Sequence, residues 1–147
     1  MKARVILTGI ALLLGGTCAG AEQQDAIKST PLLKTTATVT GQKLEYPAHN
    51  PQVTVTLVEI PPGTQVGWHE HPGIRYVYVI GGTLTIEFEN GARNEYRAGT
   101  IFVEAVRTKH RGLNTGSVPV KVLFIDHSEE GQPNIVMAEP AATGKVQ

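Results

Sequence analysis

The chain has 147 residues, with 13 Lys+Arg against 13 Asp+Glu and zero net charge when histidine is neutral. No basic stripe marks a nucleic-acid surface, and a single cysteine excludes an internal disulfide framework and a multi-thiolate metal site. The length fits one domain with a core that needs no staples.

Residues 1–21 read as an export signal. Met1-Lys2-Ala3-Arg4 is a positive n-region, and Val5 to Leu14 is mostly apolar but too short to span a bilayer. Ala19-Gly20-Ala21 fits the small-residue cleavage pattern. Cleavage after Ala21 removes Lys2, Arg4 and Cys18, leaving a net charge of −2 and no thiol. The expectation is a protein secreted across the inner membrane, periplasmic in a Gram-negative host, with no stable membrane insertion afterwards. A lipid anchor on Cys18 is the weaker reading, because Gly15-Gly16-Thr17 lacks the leucine of a lipobox.

Residues 22–34 form a polar leader, and residues 35–128 are read as one β-barrel domain. Thr35 to Thr40 and Lys43 to Tyr46 read as two β segments around Gly41. Val53 to Ile60 is a strand closed by Pro61-Pro62-Gly63, since proline cannot continue a ladder. Ile74 to Ile80 and Thr83 to Phe88 flank a Gly81-Gly82 turn. In the second of these, Leu84, Ile86 and Phe88 share one face and Thr83, Thr85, Glu87 and Glu89 the other. Asn90-Gly91 is a hairpin signal, answered by Arg93 to Arg97, with Glu87, Glu89 and Glu95 set against Arg93 and Arg97 as cross-strand charge pairs. Thr100 to Ala105, Arg107 to Leu113 and Val118 to Asp126 complete the strands. The Pro-, Gly- and Ala-rich tail, 129–147, is expected to fray. Short strands with regular turns and no long helix give an all-β sandwich or barrel.

Within that frame three histidines stand out. Residues two apart on a strand point to one face, so His69 and His71 offer both imidazoles to one point inside a barrel, and His110 arrives from a distant strand. Imidazole nitrogens converging in this way suit Fe, Mn, Ni, Cu or Zn. At this point the chain resembles the cupin superfamily, whose motifs run G-x5-H-x-H-x3,4-E-x6-G and G-x5-P-x-G-x2-H-x3-N. Gly63, His69, His71 and Gly82 match the first, and Gly99, His110 and Asn114 match the second. The resemblance covers roughly Val53 to Asp126. It implies a single-domain jelly-roll barrel (a double-stranded β-helix) with a divalent transition metal held in its mouth by the three histidines.

Three positions depart from the pattern. Arg75 stands where the family places its acidic ligand, and a guanidinium cannot ligate a cation. Ala105 and Arg107 replace the proline and glycine of the second motif. Three readings stay open: a three-histidine metal site, a site in which Glu104 substitutes as carboxylate ligand, or a metal-free site where Arg75 binds an anion. The first two make an exported metal-dependent protein that binds or acts on a small organic molecule. If an enzyme, it is dioxygenase-, isomerase- or lyase-like, with Arg75 or Glu104 orienting or protonating the substrate. The third makes a non-catalytic binding module for an anionic ligand or partner. Bland roles compete: Arg75 turned outward to a surface carboxylate, Glu104 paired with Arg107, His49 in a loop, His127 ending a strand, and Trp68, Tyr76 and Tyr78 filling barrel or interface surface. A homodimer is expected, because jelly-roll barrels have edge strands to cover, with Thr35 to Tyr46 at the contact.

Overall fold

Alternation of β-branched and aromatic residues with polar ones resolves into nine strands in the computed structural model, which describes residues 27–138. The segment expected to be an export signal, Cys18 and the outer part of the tail lie outside those residues. Two compact units divide the chain, Met1–Thr30 and Pro31–Gln147; of the first, only Ile27–Thr30 is described, without regular structure. The second carries β1 (Pro51–Ile60), β2 (His69–Glu70), β3 (Ile74–Gly81), β4 (Thr83–Phe88), β5 (Arg93–Arg97), β6 (Ile101–Val103), β7 (His110–Leu113), β8 (Val120–Glu129) and β9 (Val136–Met137). They form a four-stranded sheet in the order β1-β8-β3-β6 and a five-stranded sheet in the order β5-β4-β7-β2-β9, with antiparallel strand pairs throughout. The described residues form an all-β jelly roll.

Both sheets feed one core. Val77, Val79, Val120 and Val122 from the first meet Leu84, Ile86 and Phe88 from the second. Each such side chain removed from water contributes about 1.5–3 kcal/mol before the entropy of ordering is counted. The inner face of the four-stranded sheet changes character along its length. On β8, Val120 and Val122 give way to Phe124 and then Asp126, while on β3 the inward row runs from Val79 and Val77 to Arg75. The apolar end closes the barrel and the polar end forms its mouth.

Sequence expectations hold at the two glycine turns and fail at two other segments. The Gly81-Gly82 turn joins β3 of one sheet to β4 of the other, as a corner between sheets. Gly82 has φ +74, and a Cβ there would lie 2.7 Å from the Pro119 carbonyl oxygen, so only glycine allows the chain to cross here. The Asn90-Gly91 turn joins β4 to β5 as expected, with Gly91 at φ +84. Thr35 to Tyr46 makes one isolated bridge, Ala37 to Lys43, in place of two strands. The competing bonds are local: Thr38 Oγ1 receives the backbone amides of Thr40 and Gln42. Gln42 then clamps the segment to the barrel, its Nε2 donating to the Val106 carbonyl and its Oε1 accepting from the Val106 amide. The start of the tail is also structured, since β9 pairs with β2 beside the mouth.

Candidate metal centre

The histidines meet because strand register carries them together. His69 on β2 lies directly opposite His110 on β7, and His71, just past β2, bridges to Val106. All three are buried, with ring centroids 4.7–5.0 Å apart, and one ring nitrogen from each lies within 4.8 Å of the others.

The remaining ring nitrogens are fixed by backbone. The Nδ1 atoms of His69, His71 and His110 lie 2.7, 2.8 and 2.7 Å from the carbonyl oxygens of Gly67, Asn134 and Thr108. A carbonyl only accepts, so each Nδ1 must carry the hydrogen. In the neutral rings, Nε2 then presents its lone pair inward. Such backbone anchoring of the second nitrogen is how a metal-binding histidine is oriented. Asn134, in the segment expected to fray, supplies one of the three anchors.

Glu104, just beyond β6, reaches the same point. It is 4 % exposed, with Oε2 3.1 Å from His71 Nε2 and Oε1 3.5 Å from His110 Nε2. Glu104 Oε2 and His110 Nε2 have no hydrogen-bond partner among the described residues. Burial alone would raise the Glu104 pKa, but the rings of His110 and His71 outweigh it and hold the carboxyl below the usual carboxylate range. His110 responds in reverse: burial lowers it, and the Glu104 carboxylate outweighs that and raises it. Burial, assisted by the two neighbouring rings against the Gly67 carbonyl, lowers His69 to about 4. The cluster therefore requires a positive charge among its inward atoms, supplied by a proton or a cation. The unpaired buried oxygen, the unpaired buried nitrogen and an N/O donor set all fit a divalent transition metal.

Arg75 points inward, not to the surface, and its charge is already matched. It lies opposite Asp126 in the β3–β8 register. Its Nε donates to Asp126 Oδ1 at 2.6 Å and its Nη2 to Oδ2 at 3.0 Å, while Phe124 stacks beneath the guanidinium at 4.5 Å. One nitrogen, Nη1, remains 3.4 Å from His71 Nε2. Sequence reading missed Asp126 as the partner. The available signal was its phase on β8, in the same inward row as Val120, Val122 and Phe124.

The other candidates lie away from the cluster. Arg107 is exposed and does not pair with Glu104. His49 is exposed, and His127 packs against Tyr46 and Tyr76 on the outer face of the four-stranded sheet. Trp68 is covered by the Arg111 guanidinium at 4.6 Å. Glu87 bonds Arg93 as expected and also Arg111, whereas Glu89 pairs with Lys109. Behind the cluster lies a chamber of about 380 Å³, walled by Val58, Ile60, Val66, Leu84, Ile86, Phe124 and Ile135. Gly112 also lines it.

A buried three-histidine cluster at the mouth of a double-stranded β-helix defines a class of protein, and comparison with known proteins agrees. The cupin domain family model matches residues 56–126, spanning β2 to β7, the second half of β1 and most of β8; this stretch is a cupin domain. No curated protein matches the sequence. Among solved structures, an uncharacterized conserved protein with a double-stranded β-helix domain from Klebsiella pneumoniae is 20% identical. The alignment covers 66% of this chain and 91% of that one, with a TM-score of 0.51. The DMSP lyase DddQ from Ruegeria pomeroyi is 17% identical over 60% of this chain, with a TM-score of 0.52; this chain spans 44% of its length. At such identities the likeness is one of fold.

Proposed function

We propose that this protein is a metal-dependent cupin in which His69, His71 and His110 hold a divalent transition metal at the mouth of the chamber, where a small organic molecule binds or is transformed. The observation that carries the reading is the fixing of all three Nδ1–H groups by backbone carbonyls, which turns three buried lone pairs toward one point. When bound, the metal would supply Lewis acidity or an oxygen-binding centre.

The chain's own residues select the occupant. Val58, Leu84, Ile86 and Ile135 give the chamber an apolar wall. Arg75 is the one basic side chain among the residues lining it apart from histidine, and Asp126 already neutralises it. An anion entering here would find no unmatched guanidinium, which speaks against the metal-free, anion-binding alternative. A small uncharged molecule fits better, with its apolar part in the chamber and a polar atom near Arg75 Nη1–H. His110→Ala is expected to abolish metal binding; full metal occupancy in that variant would remove the ligand assignment.

The proposed assembly is a homodimer. On the outward face of β1, Val53, Val55 and Leu57 are 56, 58 and 55 % exposed. Tyr46, at the end of the Thr35–Tyr46 segment, lies on the same sheet face through its contacts with Tyr76 and His127. A second copy would cover this apolar stripe.

A further inference from the structure

We infer that Glu104 is the fourth protein ligand of the metal, an inference that rests on the three-histidine reading above. The argument starts from an incompatibility. With each Nδ1–H given to a backbone carbonyl, the neutral rings present only lone pairs at Nε2, and a buried carboxylate facing lone pairs is repelled. Yet Glu104 places its two oxygens 3.1 and 3.5 Å from two of those nitrogens, with no donor on Oε2. A proton on one Nε2 answers only one of these two contacts, whereas a cation shared by all of them removes the conflict.

The spacing agrees with that assignment. Ligand atoms about 2.1 Å from one ion, at the angles of octahedral or tetrahedral sites, lie roughly 3.0–3.4 Å from each other. Glu104 has no alternative post as an outer partner of the histidines. That post is the bond to Nδ1, and Gly67, Asn134 and Thr108 fill it three times. Nor is Arg75 free to serve as its counter-charge, because Asp126 holds that guanidinium on two nitrogens.

The topology explains how a carboxylate reaches a site whose usual acidic position is an arginine. Position 75 lies on β3, whose neighbour is β6, and the Glu104 amide donates to the Arg75 carbonyl at 2.9 Å. The carboxylate is delivered from the adjacent strand, one backbone hydrogen bond away. Arg75, turned to Asp126, occupies the vacated position without bringing an unmatched charge to the metal.

The test is cobalt(II) titration of the purified chain and of Glu104→Gln, each against a competing chelator, with the visible ligand-field bands recorded. Near-UV circular dichroism checks that the variant folds. We expect about a 100-fold loss of Co²⁺ affinity in Glu104→Gln, at the upper end of what loss of an outer partner costs, together with a changed band pattern. Equal affinity and an unchanged spectrum would overturn the inference and leave the three-histidine site standing. Failure of the wild type to take up cobalt at all would overturn both. If Glu104→Gln does not fold, infrared difference spectra of wild type labelled with ¹³C-glutamate decide. A labelled carboxylate band that moves on adding Zn²⁺ supports coordination, and a static one refutes it.

Discussion

Replacing Asp126 by asparagine isolates the consequence of having an arginine where the family carries an acid. Asp126 and Arg75 are each 6 % exposed at the side chain and joined by two hydrogen bonds, of 2.6 and 3.0 Å. The substitution keeps the shape but leaves a buried guanidinium without its counter-charge. Breaking a buried pair in this way costs about 3–5 kcal/mol. For a domain of this size that is a fall in melting temperature of roughly 10–20 °C. The Phe124 ring beneath the guanidinium recovers only a little, about 1–2 kcal/mol at most. The unmatched charge also stands beside His71 Nε2, so metal affinity falls as well. The assay is a thermal melt of the metal-free protein and a double-mutant cycle with Arg75→Met, which removes the orphaned charge. The double variant Arg75→Met/Asp126→Asn is expected to recover most of the loss. A single Asp126→Asn variant within 1 kcal/mol of wild type would refute the claim that this pair is a matched, desolvated unit.

Three further outcomes follow from particular residues. Arg107 stands at the glycine position of the second motif with φ +47, so Arg107→Gly should raise stability by about 0.5–1 kcal/mol in chemical denaturation, and a loss would contradict the strain. A chain ending at Gln132 removes the Asn134 carbonyl from His71 Nδ1 and the Ile135 wall from the chamber. Chelator competition should show metal affinity reduced about 10–100-fold, and unchanged affinity would deny the segment its anchoring role. Val55→Glu/Leu57→Glu should yield a monomer in sedimentation equilibrium where the wild type is a dimer; a monomeric wild type at micromolar concentration would end the dimer proposal.

Much of this molecule is legible in its sequence because period-two alternation and the spacing of glycines are local signals. The in-phase apolar row of Leu84, Ile86 and Phe88, the Asn90-Gly91 turn and the spacing of His69, His71 and His110 all survive in the fold. What the sequence hides is pairing across strands. Nothing local says that Arg75 lies opposite Asp126, fifty-one residues away, or that the Glu104 amide bonds to the Arg75 carbonyl. Gly81-Gly82 marks a turn but not its kind: a hairpin and a corner can both need such a glycine, and the Pro119 carbonyl that crowds Gly82 is thirty-seven residues away in sequence. The Thr35–Tyr46 segment has strand composition, but its threonine and glutamine side chains take over the backbone bonds a ladder would use. The tail reads as Pro-, Gly- and Ala-rich and irregular because, within the described residues, its regular structure is the two-residue strand β9, too little to leave a pattern.

The account turns on whether three fixed imidazoles hold a metal, and plasma mass spectrometry of the chain purified without a histidine tag or chelating column asks that directly. Beside it runs His69→Ala/His71→Ala, with both samples checked for folding. The prediction is close to one equivalent of a transition metal in the wild type and none in the variant. A wild type that stays metal-free after reconstitution with iron, manganese, nickel, copper and zinc would contradict the account.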